Sequence, residues 1–484
     1  MASHATSGRR LSPYHRGEEG FHDQSPDRAS MNAVRRLVER VVPRGALILS
    51  VLSLAYFGVG LIRNRVLSSA FGSSTDYEAY VAAFRIPEIA FDVVVAAGLT
   101  APFVPIFNAL RERDPAGAER FGQTILTVAV LAMTMIALIL VVVAPATVEI
   151  VAPDFGPAAR AEYVAFVRLS CLAQVFFAAS FVLGEVLVAH RRFFFYALAP
   201  VLYSAGIVLG TLILGGRLGV AGAAIGAVVG AAAHLVVRAI GIARTPFRVA
   251  PRLELGTAAI REFGRLMAPR LVSQPIDPLT VTFLTRLATG IGVGALTSYN
   301  YAADYQAVPV SLIGSAFSLA VFPTLVAAWN AGDARAYQAI LRRNVATIGG
   351  LTMVAAIVLV ILARPIIELV QGGGRFGPAD VDRTALVLAL FAASIPLDSL
   401  AYPLSRALYA SHNTSLQFGA SVVGFGTLVA VAAMAAGPLG IAAIPLGYSA
   451  GSAVKLGLLV LSVRRRIRLL DGLRPDAGAE PASP

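Results

Sequence analysis

The chain has 484 residues, 57% of them hydrophobic and 14% charged, with a formal net charge of +12 and a mean hydropathy of +0.72. A water-soluble domain of this length could not hide so much apolar surface, because its surface-to-volume ratio demands more polar residues. The positive charge is almost all arginine, Lys455 being the only lysine. It lies between apolar blocks, where it sets membrane orientation and does not mark a nucleic-acid surface. Cys171 is the only cysteine, so no internal disulfide can form, and no His/Cys/Asp/Glu grouping has metal-ligand spacing.

Residues 1–44 are polar and rich in Ser, Arg, Pro and Gly, which reads as a disordered cytoplasmic tail. They are not a signal peptide, since the apolar stretch that follows is long and lacks a small-residue cleavage site. About twelve transmembrane helices are then expected. They lie at 45–71, 77–108, 120–151, 160–189, 194–215, 218–243, 258–289, 293–328, 337–370, 380–410, 414–436 and 439–463. The run from Thr124 to Ala144 has no charged residue, enough to cross about 30 Å of hydrocarbon.

Loop charge sets the orientation. With the N-terminus inside, the cytoplasmic loops hold Arg111, Arg113 and Arg120; His190, Arg191 and Arg192; Arg244, Arg248 and Arg252; and Arg335, Arg342 and Arg343. Arg464, Arg465, Arg466 and Arg468 follow the last span. The outer loops at 72–76 and 437–438 have no Lys or Arg, and that at 216–217 has only Arg217. Both termini are therefore expected in the cytoplasm of a multi-pass inner-membrane protein.

The chain also repeats itself. Phe155-Gly156-Pro157-Ala158 recurs as Phe376-Gly377-Pro378-Ala379, and Phe103-Val104-Pro105 has a counterpart in Val321-Phe322-Pro323, at an offset of about 220 residues. An even number of spans per repeat gives both halves the same orientation. The expected fold is all-α: two parallel six-helix lobes at 45–245 and 258–465 around a central cavity, joined by a cytoplasmic linker at 246–257, with a second tail at 466–484.

Charged side chains inside spans cost about 2.5–3.5 kcal/mol each on insertion scales and usually face a cavity or one another. Arg238, Arg406 and Lys455 sit near cytoplasmic ends, where snorkelling is the simpler reading. Arg63, Asp92, Asp277, Asp304 and Asp398 lie well inside spans. They are assigned to a polar cleft between the lobes, with structural ion pairs within a lobe as the alternative. Glu78 and Arg270, near span ends, are placed with the same cavity. Gly58, Gly60, Pro275, Pro278 and Pro309 are candidate hinges or static kinks. Gly222, Gly226 and Gly230 read as close helix packing.

These residues resemble the MurJ (MviN) lipid II flippases of the multidrug/oligosaccharidyl-lipid/polysaccharide exporter superfamily, from about Leu52 to Leu470. The resemblance is carried by Gly60-Leu61-Ile62-Arg63, Glu78 through Phe84-Arg85-Ile86-Pro87, Ala101-Pro102-Phe103-Val104-Pro105, Tyr301-Ala302-Ala303-Asp304 and Gln371-Gly372-Gly373-Gly374-Arg375-Phe376. It implies a V-shaped bundle that moves an undecaprenyl-linked peptidoglycan precursor from the inner to the outer leaflet by alternating access, driven by a coupling cation or the membrane potential. Of the family's cavity arginines, one falls on Arg63 and another on Phe57. A third falls near Phe91 or Asp92, and a fourth falls on Asp304, which reverses its sign. Glu78 retains an acid of the family. Many members carry two further C-terminal helices beyond the twelve read here.

The resemblance implies a lipid-linked glycan and membrane lipids as partners, with cell-wall synthesis proteins a further candidate. No nucleophile–base pair or metal set stands out in the sequence, so no enzymatic activity, no cofactor and no nucleic-acid partner are expected. Two other readings stand beside a flippase. One is a cation-coupled exporter of amphipathic molecules or of another lipid-linked glycan, favoured by the acids of the cleft; the other is a non-transporting scaffold of the cell-wall machinery.

Overall fold

The computed structural model describes residues 44–96, 102–273, 276–411 and 413–472. The two tails beyond these bounds, and the candidate hinge Pro275, lie outside the described residues. The described chain is helical almost throughout, with one isolated β-bridge between Gly373 and Phe376.

In the first half, α1 (Arg44–Phe71) is followed by the short helices α2 (Thr75–Ala83) and α3 (Arg85–Phe91), a π-helical turn (Asp92–Ala96) and α4 (Phe103–Arg113). Then come α5 (Pro115–Val151), α6 (Pro157–Ala189), α7 (Phe193–Leu218) and α8 (Val220–Ile242). The second half opens with α9 (Ala258–Ser273), α10 (Ile276–Ile291), α11 (Ala295–Pro309), a second π turn (Val310–Ser315) and α12 (Ala316–Asn330). It closes with α13 (Ala334–Val370), α14 (Pro378–Phe391), α15 (Ser394–Ala410), α16 (Thr414–Leu439) and α17 (Ala443–Gly472).

Among the described residues, seven helical stretches are long and apolar enough to cross a membrane, or eight if the α14–α15 pair, bent by 40°, is one span. The spans expected at 77–108 and 258–289 are divided into shorter helices. Side chains such as Val142 on α5 stand 77% exposed, as a lipid-facing surface requires, because hydrocarbon needs no polar cover.

The repeat is visible in the way the helices start and stop. Asp114 caps α5 by accepting from Gly117 N at 2.9 Å, and Asp333 caps α13 by accepting from Ala336 N at 3.0 Å; each satisfies an otherwise orphaned amide of the first turn. Gly219 ends α7 at φ 58°, and Gly440 ends α16 at φ 52°, a left-handed conformation that side chains disfavour. The π turns match as well: Asp92 and Val310 are spaced as Pro105 and Pro323 are.

Within the first half, α7 and α8 approach through glycine. A Cβ built on Gly210 would lie 2.5 Å from the Gly226 Cα, so the close packing expected of the α8 glycines is present. Aromatic side chains of α3 to α6, including Phe91, Phe103, Phe107 and Phe121, form one core, which also takes in Phe263 of α9. A core of the second half gathers Leu325, Tyr337, Leu404 and Leu459.

The two halves are sealed together at the end that carries Gly72 and Gly372. Ser68 Oγ donates to Gln371 O at 2.9 Å, and Arg375 N donates to Ser69 O at 2.9 Å. Arg65 also donates to Gly372 O. Nearby, the Tyr77 and Tyr301 hydroxyls meet at 3.1 Å and Arg286 Nη1 donates to Ile150 O at 3.1 Å. Three cavities lie on the other side of this seal, toward the middle of the bundle and its arginine-rich end.

Candidate functional site: a mixed-charge seam between two halves

The central cavity, about 240 Å³, is bounded by α1, α2, α3 and α7 from the first half and by α11 from the second. Arg63 and Asp304, expected in one cleft, meet here. The link between them is Asn64, whose amide oxygen accepts from Arg63 Nη2 at 3.1 Å. Its amide nitrogen points to Asp304 Oδ2 at 3.5 Å. Asn64 follows Arg63 on a helix, so the two project about 100° apart; the arginine folds back to its neighbour while Asn64 crosses to α11.

A second pair, which the sequence reading did not assign to the cavity, lines it too. Arg85 Nη1 sits 3.5 Å from Glu88 Oε2, and the same guanidinium donates to Asn300 Oδ1 of α11. The i,i+3 spacing of Arg85 and Glu88 was the signal available, but Arg85 read only as part of a family motif. The site therefore holds two guanidinium groups, each held by an amide and each accompanied by a carboxylate. Arginine is the side chain suited to bidentate binding of a phosphate or carboxylate, while the acids oppose a bare anion.

Asp92 lies in a larger cavity of the first half, about 590 Å³. Glu88 and Tyr203 line both chambers, so the two are adjacent. Arg238 was expected to snorkel, but it is only 3% exposed. It donates to Ser180 O at 2.8 Å and stacks over the Tyr196 ring at 4.9 Å, since a guanidinium near neither water nor headgroups must find carbonyls and aromatic faces instead.

Asp277 and Asp398 do not join Arg63. They line a third cavity, about 410 Å³, within the second half, together with Arg406 and Lys455. Asp398 accepts from Gln306 Nε2 at 3.0 Å and from Ser452 Oγ at 2.7 Å. The single polar cleft of the sequence reading is thus resolved into a seam with a chamber on either side. Arg406 and Lys455, for which snorkelling was the simpler reading, line one of those chambers.

Glu78 lines none of the three cavities described above. It is 2% exposed and its Oε1 accepts from Thr297 N at 3.1 Å, capping the start of α11 across the seam. A carboxylate at a helix N-terminus meets unpaired amides and the positive end of the helix dipole. The side chain of Arg270, on α9, lies outside the described residues. Of the expected hinges, Gly58 and Gly60 lie within an unbroken helix and Pro278 lies in the first turn of α10. Pro309 leads directly into a π turn. Among the described residues, no group of three His, Cys, Asp or Glu could hold a metal ion.

A family model described as "Lipid II flippase MurJ" matches residues 67–474. The chain belongs to the MurJ family. A relative named "Probable lipid II flippase MurJ" from Rickettsia prowazekii is 24% identical over 375 residues, covering 77% of this chain and 74% of the relative. One of the same name from Treponema pallidum is 24% identical over 435 residues, covering 87% and 82%. Among solved structures, one titled "Lipid II flippase MurJ, inward closed conformation" superposes with a TM-score of 0.75 at 16% identity, covering 88% of this chain and 90% of that one. An inward-facing multidrug resistance MATE family transporter of the MOP superfamily also gives 0.75, at 15% identity and covering 86% and 96%. The MurJ-family chain thus has the all-α membrane-transporter fold shared with MATE proteins, and it is a transporter-family member, not an enzyme.

Proposed function

We propose that this chain is a lipid II flippase, carrying a polyprenyl-diphosphate-linked peptidoglycan precursor from the inner to the outer leaflet of the bacterial inner membrane for cell-wall biogenesis. The observation that supports it, beside the family, is a pair of arginines, Arg63 and Arg85, held at the seam between the halves by amides of both. A diphosphate there would take charge-assisted hydrogen bonds from both guanidinium groups. Because residues of both halves build the site, rocking one half against the other would re-expose it on the opposite face.

In this reading residues 45–245 and 258–465 are two lobes joined by the linker 246–257, and both termini are cytoplasmic. The seal between Ser68 and Gln371 then closes the periplasmic side. The driving force is a coupling cation or the membrane potential, with membrane lipids and cell-wall synthesis proteins as partners.

Expression in a cell depleted of its own lipid II flippase tests the reading. Growth should be restored by the wild type and lost in Arg63→Ala at equal membrane abundance; absence of rescue by a correctly inserted wild type would refute it. A second reading, a cation-coupled exporter of amphipathic molecules, is favoured by Asp277 and Asp398 in one chamber; it predicts gradient-dependent efflux in place of rescue.

A further inference from the structure

The large chamber of the first half holds one carboxylate that the site described above leaves unused. Asp92 begins the π turn after α3, and its side chain is open to the chamber. Among the described residues, no hydrogen bond or ion pair occupies it. The other charged groups of that chamber are engaged: Glu88 with Arg85, and Arg238 with the carbonyls of Ser180 and Tyr196.

Glu88 and Asp92 stand one helical turn apart, and Glu88 feels the charge of Asp92. Like charges at this spacing repel, and a cation set between them removes the repulsion. The walls around them are aromatic. Phe91 packs edge-on against Phe181 at 4.9 Å, and Phe177 packs likewise against Tyr203 at 4.9 Å. Carboxylate together with ring faces is the environment that favours an organic ammonium over a hydrated metal ion, because the ring quadrupole attracts the charge while the rings exclude water.

Position gives the ligand its second property. The chamber adjoins the cavity of Arg63 and Arg85, with Glu88 and Tyr203 lining both, and its volume of about 590 Å³ admits a sugar or short peptide portion, on the scale of ligand pockets generally. We propose that Asp92 is a subsite for a primary ammonium group carried by the head of the cargo, so that a head with both a diphosphate and a free amine is bound from its two ends. This rests on the flippase reading and adds to it a chemical preference: the acids that weaken the site for a bare anion become the recognition element for an amine-bearing one.

The test is binding to the full chain in lipid nanodiscs of two probes, lipid II with a free lysine amine in its peptide and the same molecule acetylated on that amine. Wild type should prefer the free amine about tenfold, the discrimination expected of one charge-assisted contact beside aromatic faces. Asp92→Asn should bind both probes with the affinity wild type has for the acetylated one, and Asp92→Glu should keep the preference. Equal binding of both probes by wild type, or a preference that survives in Asp92→Asn, would overturn the subsite while leaving the flippase reading intact. If wild type binds neither probe although it remains monodisperse, the flippase reading falls, and the subsite with it.

Discussion

Asn64 joins Arg63 to Asp304: one face of its amide accepts from the guanidinium at 3.1 Å and the other reaches the carboxylate at 3.5 Å. A neutral amide thereby fixes opposite charges on opposite halves of the bundle. Asn64 is 8% exposed, so its replacement by Ala would leave the guanidinium without its acceptor. Asn64→Ala is expected to reduce lipid II flipping about tenfold, from the roughly 1–3 kcal/mol cost of an unsatisfied buried partner. Accessibility of lipid II to a probe at the outer leaflet measures it.

Glu78 acts on stability and on the seam. Glu78→Ala removes the acceptor of Thr297 N and exposes the start of α11, at a cost of about 1–3 kcal/mol. Glu78→Gln keeps an acceptor and should lose only the charge–dipole part, about 0.3–1 kcal/mol. Thermal unfolding of the purified protein should rank wild type above Gln and Gln above Ala.

The seal offers a covalent lock. Ser68→Cys with Gln371→Cys puts one thiol on each of the two segments that the Ser68 hydroxyl and the Gln371 backbone carbonyl join at 2.9 Å, and the native Cys171 is buried and does not compete. Oxidation should form a cross-link that stops flipping, and a reductant should restore it. A cross-linked protein with undiminished flipping would show that this end need not open.

Gly210 has no room for a side chain, its Cβ position lying 2.5 Å from the Gly226 Cα. Gly210→Val is expected to separate α7 from α8 at a cost of about 1–3 kcal/mol or more, read as loss of monodisperse protein on size exclusion. Gly216, with open space around its Cβ position, is the control and should accept Ala.

His190, in the loop after α6, responds to pH. Burial pushes its pKa below the ordinary histidine value, and the charges of Arg111 and Arg192 act in the same direction. A depressed histidine pKa means the unfolded chain binds the proton more readily. Stability should therefore be level above about pH 6.5 and fall as the pH drops below it. His190→Gln should flatten that slope in unfolding measurements between about pH 5 and 7.

The membrane fold and its repeat were legible because apolar length and turn residues are local signals. Phe155-Gly156-Pro157 and its copy lead into α6 and α14, with Pro at the first helical position, where its fixed φ and missing amide are favoured. The meeting of Arg63 and Asp304 was legible from cost, since a charge within a span needs a reason. The separation of Asp398 from Arg63 was not, because which face of a helix meets which neighbour is a tertiary property. Arg238 was misread for the same reason: a position near the end of a span says nothing of the carbonyls and rings waiting beside it. Arg85 was hidden by its motif, which marked the family without indicating that the guanidinium reaches Asn300 on the other half.

The matched π turns at Asp92 and Val310 give the bundle a shared level of compliance. A π turn winds in a surplus residue and loosens the regular ladder, so a helix bends there more readily than above or below. With one such joint in each half at the same step of the repeat, the two arms can flex in register, as a pair of knees does. The more distant segments then move as stiff levers. Asp92 lies on one of those joints, so a load placed against it would be felt where the helix yields.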